Sequence, residues 1–306
     1  MSKKMINSVH LEGILYEADL EVKVTGEKSK NPGTQFITGK ISVATDDDCL
    51  NVVDVHFTYV TANTASGKPN ATYNTLQNIQ SGVYKTMMEV GKDAATRVRV
   101  DSAIGLNEFY TDRNGGEPEL VSAKRNEGGF VHAISPAEIT ENRNRFDCDM
   151  LINKVRRIEA DEEKNLPEKV IISGAVFDFR KNLMPVEFVV YDAAGMDYFE
   201  SLDTPVFTKV WGPQVSTTVV KTVTEESAFG APTVRETKTT RKEFVVAHAN
   251  PSPYEWDSEE SITVAEINEA ISNREINLAD IKRRFMEYKT GGATKPAIAN
   301  NSGFNF

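Results

Sequence analysis

The sequence predicts a mainly β protein built on small curled barrels, and three observations carry that expectation. Strand-like alternation runs from residue 7 to residue 60, glycines interrupt the strands near their middles, and an amphipathic helix follows the third strand. Val9, Leu11, Gly13 and Leu15 alternate with His10, Glu12, Ile14 and Tyr16, the period-2 pattern of a strand with one buried face. A glycine inside such a strand marks a bulge or a sharp coil, the device by which a short sheet curls on itself. After the polar turn Gly26 to Gly33, a second strand sets Ile37, Gly39, Ile41 and Val43 against Phe36, Thr38, Lys40 and Ser42. With a third strand and a helix behind them, these two strands describe the front half of an OB-type β-barrel.

The third strand, Leu50 to Val60, is β-branched and aromatic, with Val53, Val55, Phe57 and Tyr59 on one face and Asp54, His56 and Thr58 on the other. From Ala71 to Val90, Tyr73, Leu76, Ile79, Val83, Met87 and Val90 recur at three- and four-residue steps, a helix that caps the barrel. Gly82 weakens that helix by about 1 kcal/mol relative to alanine. Thr96 to Asp101 is a fourth strand with Val98 and Val100 inward and Arg97 and Arg99 outward, and a long hairpin turning at Arg113 to Gly116 supplies the last strand. Residues 1–145 thus form a first OB-fold unit.

Asp161 to Pro167 is a charged joint, and beyond it Val170 to Phe177 repeats the pattern of Val9 to Tyr16 position for position, central glycine included. The simplest inference is a second OB-like unit over 146–255, with the strand at 146–159 assignable to either. Asp197 to Leu202 forms a short helix, and Pro205 to Gly212 a strand. Ser216 to Ala249 then folds as a long hairpin arm around Phe229 to Pro232, carrying Lys221, Arg235, Lys238, Arg241 and Lys242. That arm fits three uses about equally: tracking a nucleic-acid backbone, exchanging with a second subunit, or standing as a solvated ribbon. Thr263 to Glu266 is a capping box that opens a C-terminal helical pair over 256–290, and the tail 291–306 is expected to be disordered.

Composition limits what the chain does. Its 306 residues are ample for two cores, and a net charge of −10 supplies no global field for nucleic acid or anionic membrane, although a locally basic groove is compatible with it. Two cysteines, Cys49 and Cys148, have neither metal-ligand spacing nor a disulfide framework, which suits a reducing compartment. With no run of 18 apolar residues, a soluble cytoplasmic protein is expected. Four scattered histidines and the absence of any nucleophile, zinc or phosphate-loop motif argue against an enzyme, a metal or a cofactor. Asp46, Asp47 and Asp48 read as a solvated turn rather than a cation site.

Binding signals are stronger. Taken in phase, the outward face of the first unit gathers Tyr16, Phe36, Lys40, His56, Arg97 and Arg99, and the long hairpin adds Phe109, Tyr110, Arg113, Lys124 and Arg125. In the second unit Lys209 and Trp211 repeat the interleaving on one strand. Aromatic rings give unpaired bases a stacking platform worth about 1–3 kcal/mol each, and lysine and arginine neutralise phosphates. The bland alternative is that the rings cover the core or a neighbour, which for a tryptophan is the commoner case.

The opening residues also carry a resemblance. Asn7-Ser-Val9-His-Leu11-Glu-Gly13-Ile-Leu15, followed by Phe36-Ile-Thr-Gly-Lys-Ile-Ser-Val43-Ala44, resembles the start of bacterial and phage single-stranded-DNA-binding proteins of the OB-fold type. The resemblance implies sequence-tolerant binding of single-stranded DNA in replication, recombination or repair, with no catalytic centre. Two features depart from that family. Asn51-Val52-Val53 stands where its third strand carries a tryptophan, and the terminal Phe306 follows no acidic tail. Doubled barrels and this C-terminus suggest a phage or mobile-element version. The rival reading is a structural or assembly module whose barrels and arm make protein contacts, with homo-oligomerisation through residues 216–249.

Overall fold

β1 (Asn7–Val24) organises the computed structural model, which describes residues 4–27, 29–112, 116–161, 166–225 and 233–290. It runs antiparallel to β2 (Gln35–Ala44), and β2 runs antiparallel to β3 (Val52–Thr61). β4 (Arg97–Thr111) and β5 (Glu119–Ile134) form a long hairpin, β5 meets β3 in parallel at Val55 and His56, and β4 returns to β1. The order β1-β2-β3-β5-β4-β1 closes a ring, with the connectivity of a Greek-key OB-type barrel. Leu11, Leu15, Ile37, Ile41, Val55, Val98 and Val131 fill it. α1 (Ala71–Gln80) packs Tyr73, Leu76 and Ile79 into the same core, and its first turn is held by the Asn70 side chain, which accepts from the Thr72 amide.

The helix expected over Ala71 to Val90 is broken. Ser81 closes α1, Gly82 takes a left-handed φ of +75°, and the chain re-enters helix only for α2 (Met87–Val90).

A second ring repeats the first. β6 (Asn144–Ile158) pairs with β7 (Lys169–Phe177) and with β9 (Val206–Gly212), and β7 pairs with β8 (Leu183–Val190). A parallel bridge joins Val189 of β8 to Val245, and β12 (His248–Ala249) pairs with β9. α3 (Ala193–Glu200) occupies the place of α1. By topology the counterpart of β1 is therefore β6, not the strand beginning at Val170. The structural counterpart of Gly174 is Gly39 rather than Gly13, each marking a crossing in the second strand of its ring: a Cβ on Gly174 would lie 1.9 Å from the Leu151 carbonyl oxygen of β6, and one on Gly39 would lie 2.0 Å from the Asp19 oxygen of β1. β1 and β6 pair directly, so the two rings share one buried cluster.

Between β9 and Val245 the chain makes a two-stranded ribbon of its own, β10 (Gln214–Glu225) and β11 (Thr233–Phe244). α4 (Val264–Lys289) is one continuous helix where the sequence predicts two, because no glycine or proline interrupts residues 264–289. Its capping box at Thr263 and Glu266 is formed as expected. No helix among the described residues is long and apolar enough to cross a membrane. The tail 291–306 lies outside the described residues.

Candidate functional site

One outward face of the first ring follows from strand register. Lys40 of β2 stands opposite His56 of β3, His56 opposite Glu127 of β5, and Arg125 opposite Gly105 of β4. Alternate residues of a strand share a face, so Lys40, His56, Arg125 and, further out along β4, Phe109 lie on the same side of the sheet. Their alternates Ile41 and Val55 point into the core.

A bulge adds an aromatic pair to this face. Ile37 pairs with Val60 while Gly39 pairs with Phe57, so Thr58 and Tyr59 together oppose Thr38. The extra residue reverses the alternation: Phe57 is buried, Val60 packs against the core, and Tyr59 turns outward with 43% of its surface exposed. Simple alternation groups Tyr59 with Val53, Val55 and Phe57, and for that reason sequence reasoning missed it. Its ring lies against that of Phe36, with centroids 4.7 Å apart and planes tilted by 42°.

The charges on this face are partly committed. Asp54 accepts from Ser42 Oγ at 2.7 Å and from Lys242 Nζ of β11 at 2.9 Å, with Lys40 Nζ at 3.7 Å. Burial pushes its carboxyl up, but the hydrogen bonds from Ser42 and Lys242 outweigh that and hold it below the usual range. Burial, seconded by the Arg125 charge, lowers the pKa of His56, so its ring is neutral at pH 7. Arg125 holds the buried Glu127, and its Nη2 is buried without a hydrogen-bond partner.

The arm is rooted on the edge of this face. The buried side chains of Asn126 and Gln214 bond each other reciprocally at 2.9 and 3.0 Å. The Gln214 amide N–H donates to Asn144 Oδ1 at 3.0 Å, and that of Ser216 to Asn51 Oδ1 at 2.6 Å. Asn51, at the start of the third strand, therefore serves to hold β10. No periodicity announces such a set of amides.

The other residues named from sequence lie elsewhere. Tyr16 packs with Ile14, Ala44 and Ala95 in a satellite cluster. Arg97 donates to the carbonyls of Lys92 and Ala95, and Arg99 to Glu12 at 2.7 Å and to the Glu138 carbonyl at 3.1 Å. Tyr110 lies on the opposite face of the hairpin under Lys282 of α4, between the ion pairs Glu108–Arg274 and Asp112–Lys289. Lys124 crosses to the second ring, donating to the Glu187 carbonyl at 2.7 Å above the rings of Phe188 and Phe244, and burial lowers its pKa to about 8. In the second ring, Lys209 pairs with Asp147 at 2.9 Å beside Trp211, whose indole stacks on His248 at 5.6 Å. Arg113 falls outside the described residues. Phe36, Lys40, His56 and Arg125 thus share one face with Tyr59 and Lys242, and Phe109 lies further along the same face.

Arg99 belongs to an ion cluster around the buried Glu12 that has a measurable signature. Glu12, 1% exposed, accepts from the Thr140 amide at 2.6 Å and from Arg99, while His10 bridges it to Asp101. Burial pushes the Glu12 carboxyl up, yet the hydrogen bonds from Thr140, Arg99 and His10 outweigh it and bring the pKa down from 4.5 to about 2. A depressed carboxyl stabilises the fold fully above its unfolded value and loses that contribution as pH falls through the folded one. The urea midpoint is therefore expected to fall between pH 4.5 and 2, and Glu12→Gln should flatten that limb. An unchanged acid limb in the variant would refute the assignment.

A protein-family model described as YorF matches residues 5–284. No curated protein matches the chain. Among solved structures, the wild-type single-stranded DNA binding protein from Thermus aquaticus aligns with a TM-score of 0.47 at 10% identity, over 81% of this chain and 93% of that one. A deletion mutant of the same Thermus aquaticus protein aligns with a TM-score of 0.45 at 10% identity, over 81% and 94%.

Proposed function

We propose that the chain, which belongs to the YorF family, binds single-stranded DNA across the outward β2–β3–β5–β4 face of its first ring, without sequence preference and without a catalytic step. The observation that carries this reading is the Phe36–Tyr59 ring pair, in which exposed Tyr59, turned outward by the β3 bulge, lies against half-buried Phe36 on the same face as Lys40, His56, Arg125 and Phe109. Every base has a π-face, so such rings accept any sequence, whereas in a duplex the bases are stacked away from them. Attraction has to be local, because the chain as a whole carries −10. Lys40 and Lys242 supply it, and a phosphate competes with Asp54 for both. Lys209 and Trp211 offer a further contact to a strand long enough to reach β9, and the ribbon rooted at Gln214 borders the path. Work on exposed single strands in replication, recombination or repair, as in a phage or mobile element, fits this activity.

Salt dependence tests it. For single strands the slope of log K against log salt is about −0.7 per neutralised phosphate. Replacing Lys40 and Lys242 by alanine should flatten the slope for a dT oligonucleotide of about 30 nucleotides by roughly 1.4. A slope identical to that of the parent would remove these lysines from the interface.

A further inference from the structure

A second site lies away from the sheet face, where the start of β4 and the loop before β6 close over Gly13. The pocket there has a volume of about 570 Å³, and Lys92, Arg97 and Arg143 line it together with Asp46, Asp47 and Glu141. Formal charges balance, but the acids are differently committed. Both Asp46 carboxylate oxygens accept main-chain N–H groups, from Leu50 at 3.0 Å and Asn51 at 2.8 Å. Asp47 is 84% exposed and pairs with Arg143 at 2.8 Å, and Glu141 is exposed. Neither Arg97 nor Lys92 has a carboxylate partner among the described residues. Arg97 Nη1 is pinned by the carbonyls of Lys92 and Ala95 at 2.9 and 2.5 Å, and the Lys92 ammonium donates to the Asp47 carbonyl. The guanidinium is thus held in place by one nitrogen, while Nε and Nη2 meet no acceptor among the described residues. A fixed planar fork, a neighbouring ammonium and a second arginine tied only to a solvated carboxylate match the tetrahedral oxygens of a phosphate.

We propose that this pocket binds a phosphate group, held by Arg97 and Lys92 with Arg143 released to it from Asp47. The phosphate comes either free or as the terminal monoester of a nucleic-acid strand.

The test titrates inorganic phosphate into the full chain at constant ionic strength, following the backbone amide signals of Gly13 and Arg97 by NMR. Saturable shifts are expected, with affinity reduced about tenfold in Arg97→Gln and in Lys92→Gln. The Lys92 side chain is exposed, so its variant keeps the fold if the arginine variant does not. Two dT oligonucleotides differing only in a 5′-phosphate separate the sources. Tighter binding of the phosphorylated strand, lost in Arg97→Gln, identifies a strand end, and equal binding beside a saturable phosphate response identifies free phosphate. The proposal is overturned if the amides do not saturate, or if both variants respond like the parent. Failure of either oligonucleotide to bind the sheet face leaves the phosphate titration readable.

Discussion

Gly39→Ala is expected to cost on the order of 3–5 kcal/mol, a large share of the roughly 5–15 kcal/mol that holds a typical domain together. Two independent causes act at this position. Its φ of +130° is a conformation that residues with a side chain rarely adopt, which costs about 1–3 kcal/mol. A Cβ would also lie 2.0 Å from the Asp19 carbonyl oxygen and 3.0 Å from its carbon, both rigid backbone of β1. β1 and β2 would have to part, and with them the pairs from Ala18 to Leu20 that coil the ring. Gly26→Ala is the control, because no atom lies within 4 Å of its added Cβ. Chemical denaturation should show a large drop in midpoint for Gly39→Ala and almost none for Gly26→Ala. Equal midpoints would mean that β1 and β2 do not cross as described.

Replacing Phe36 and Tyr59 together by alanine is expected to weaken single-strand binding by about 30-fold to 10⁴-fold, since each stacked base contributes roughly 1–3 kcal/mol. Stability should hardly change, because the two rings lie outside the buried core and Tyr59 is 43% exposed. Tyr110→Ala is the informative comparison. That ring is equally aromatic, but it faces α4 under Lys282, so its loss should leave affinity close to that of the parent. Should Tyr110→Ala weaken binding as much as the double variant, the strand would have to follow the other face of the hairpin.

The sequence and the structure part company at identifiable places. Strand alternation exposes the curled β1–β2 pair and puts Lys40 and His56 on outward strand faces, because both are local features of period 2. The Tyr59 position is hidden by a single bulged residue, which a two-residue repeat cannot register. Arg99 and Lys124 read as free cations in sequence, yet their partners lie far along the chain, in Glu12 and in the Glu187 carbonyl. Such pairings are set by the closure of two rings, and no local pattern encodes them. The glycine shared by Val9–Tyr16 and Val170–Phe177 is a true repeat of chemistry at the wrong strand, since a close crossing needs glycine in whichever strand makes it. The amides of Asn51, Asn126, Asn144 and Gln214 are polar residues unremarkable in sequence, and only their burial at the arm root gives them a role.

The most direct measurement is the fluorescence polarisation of a labelled dT oligonucleotide of about 30 nucleotides, longer than the roughly 4–16 that one OB unit covers. It is titrated with the parent chain and with the Phe36/Tyr59 double-alanine variant at low and high salt, with a duplex of equal length as the control. The expected result is saturable binding of the single strand by the parent, weakened by salt and largely lost in the variant, with little binding of the duplex. No binding of the single strand at low salt, or equal binding by parent and variant, would contradict the assignment of this face.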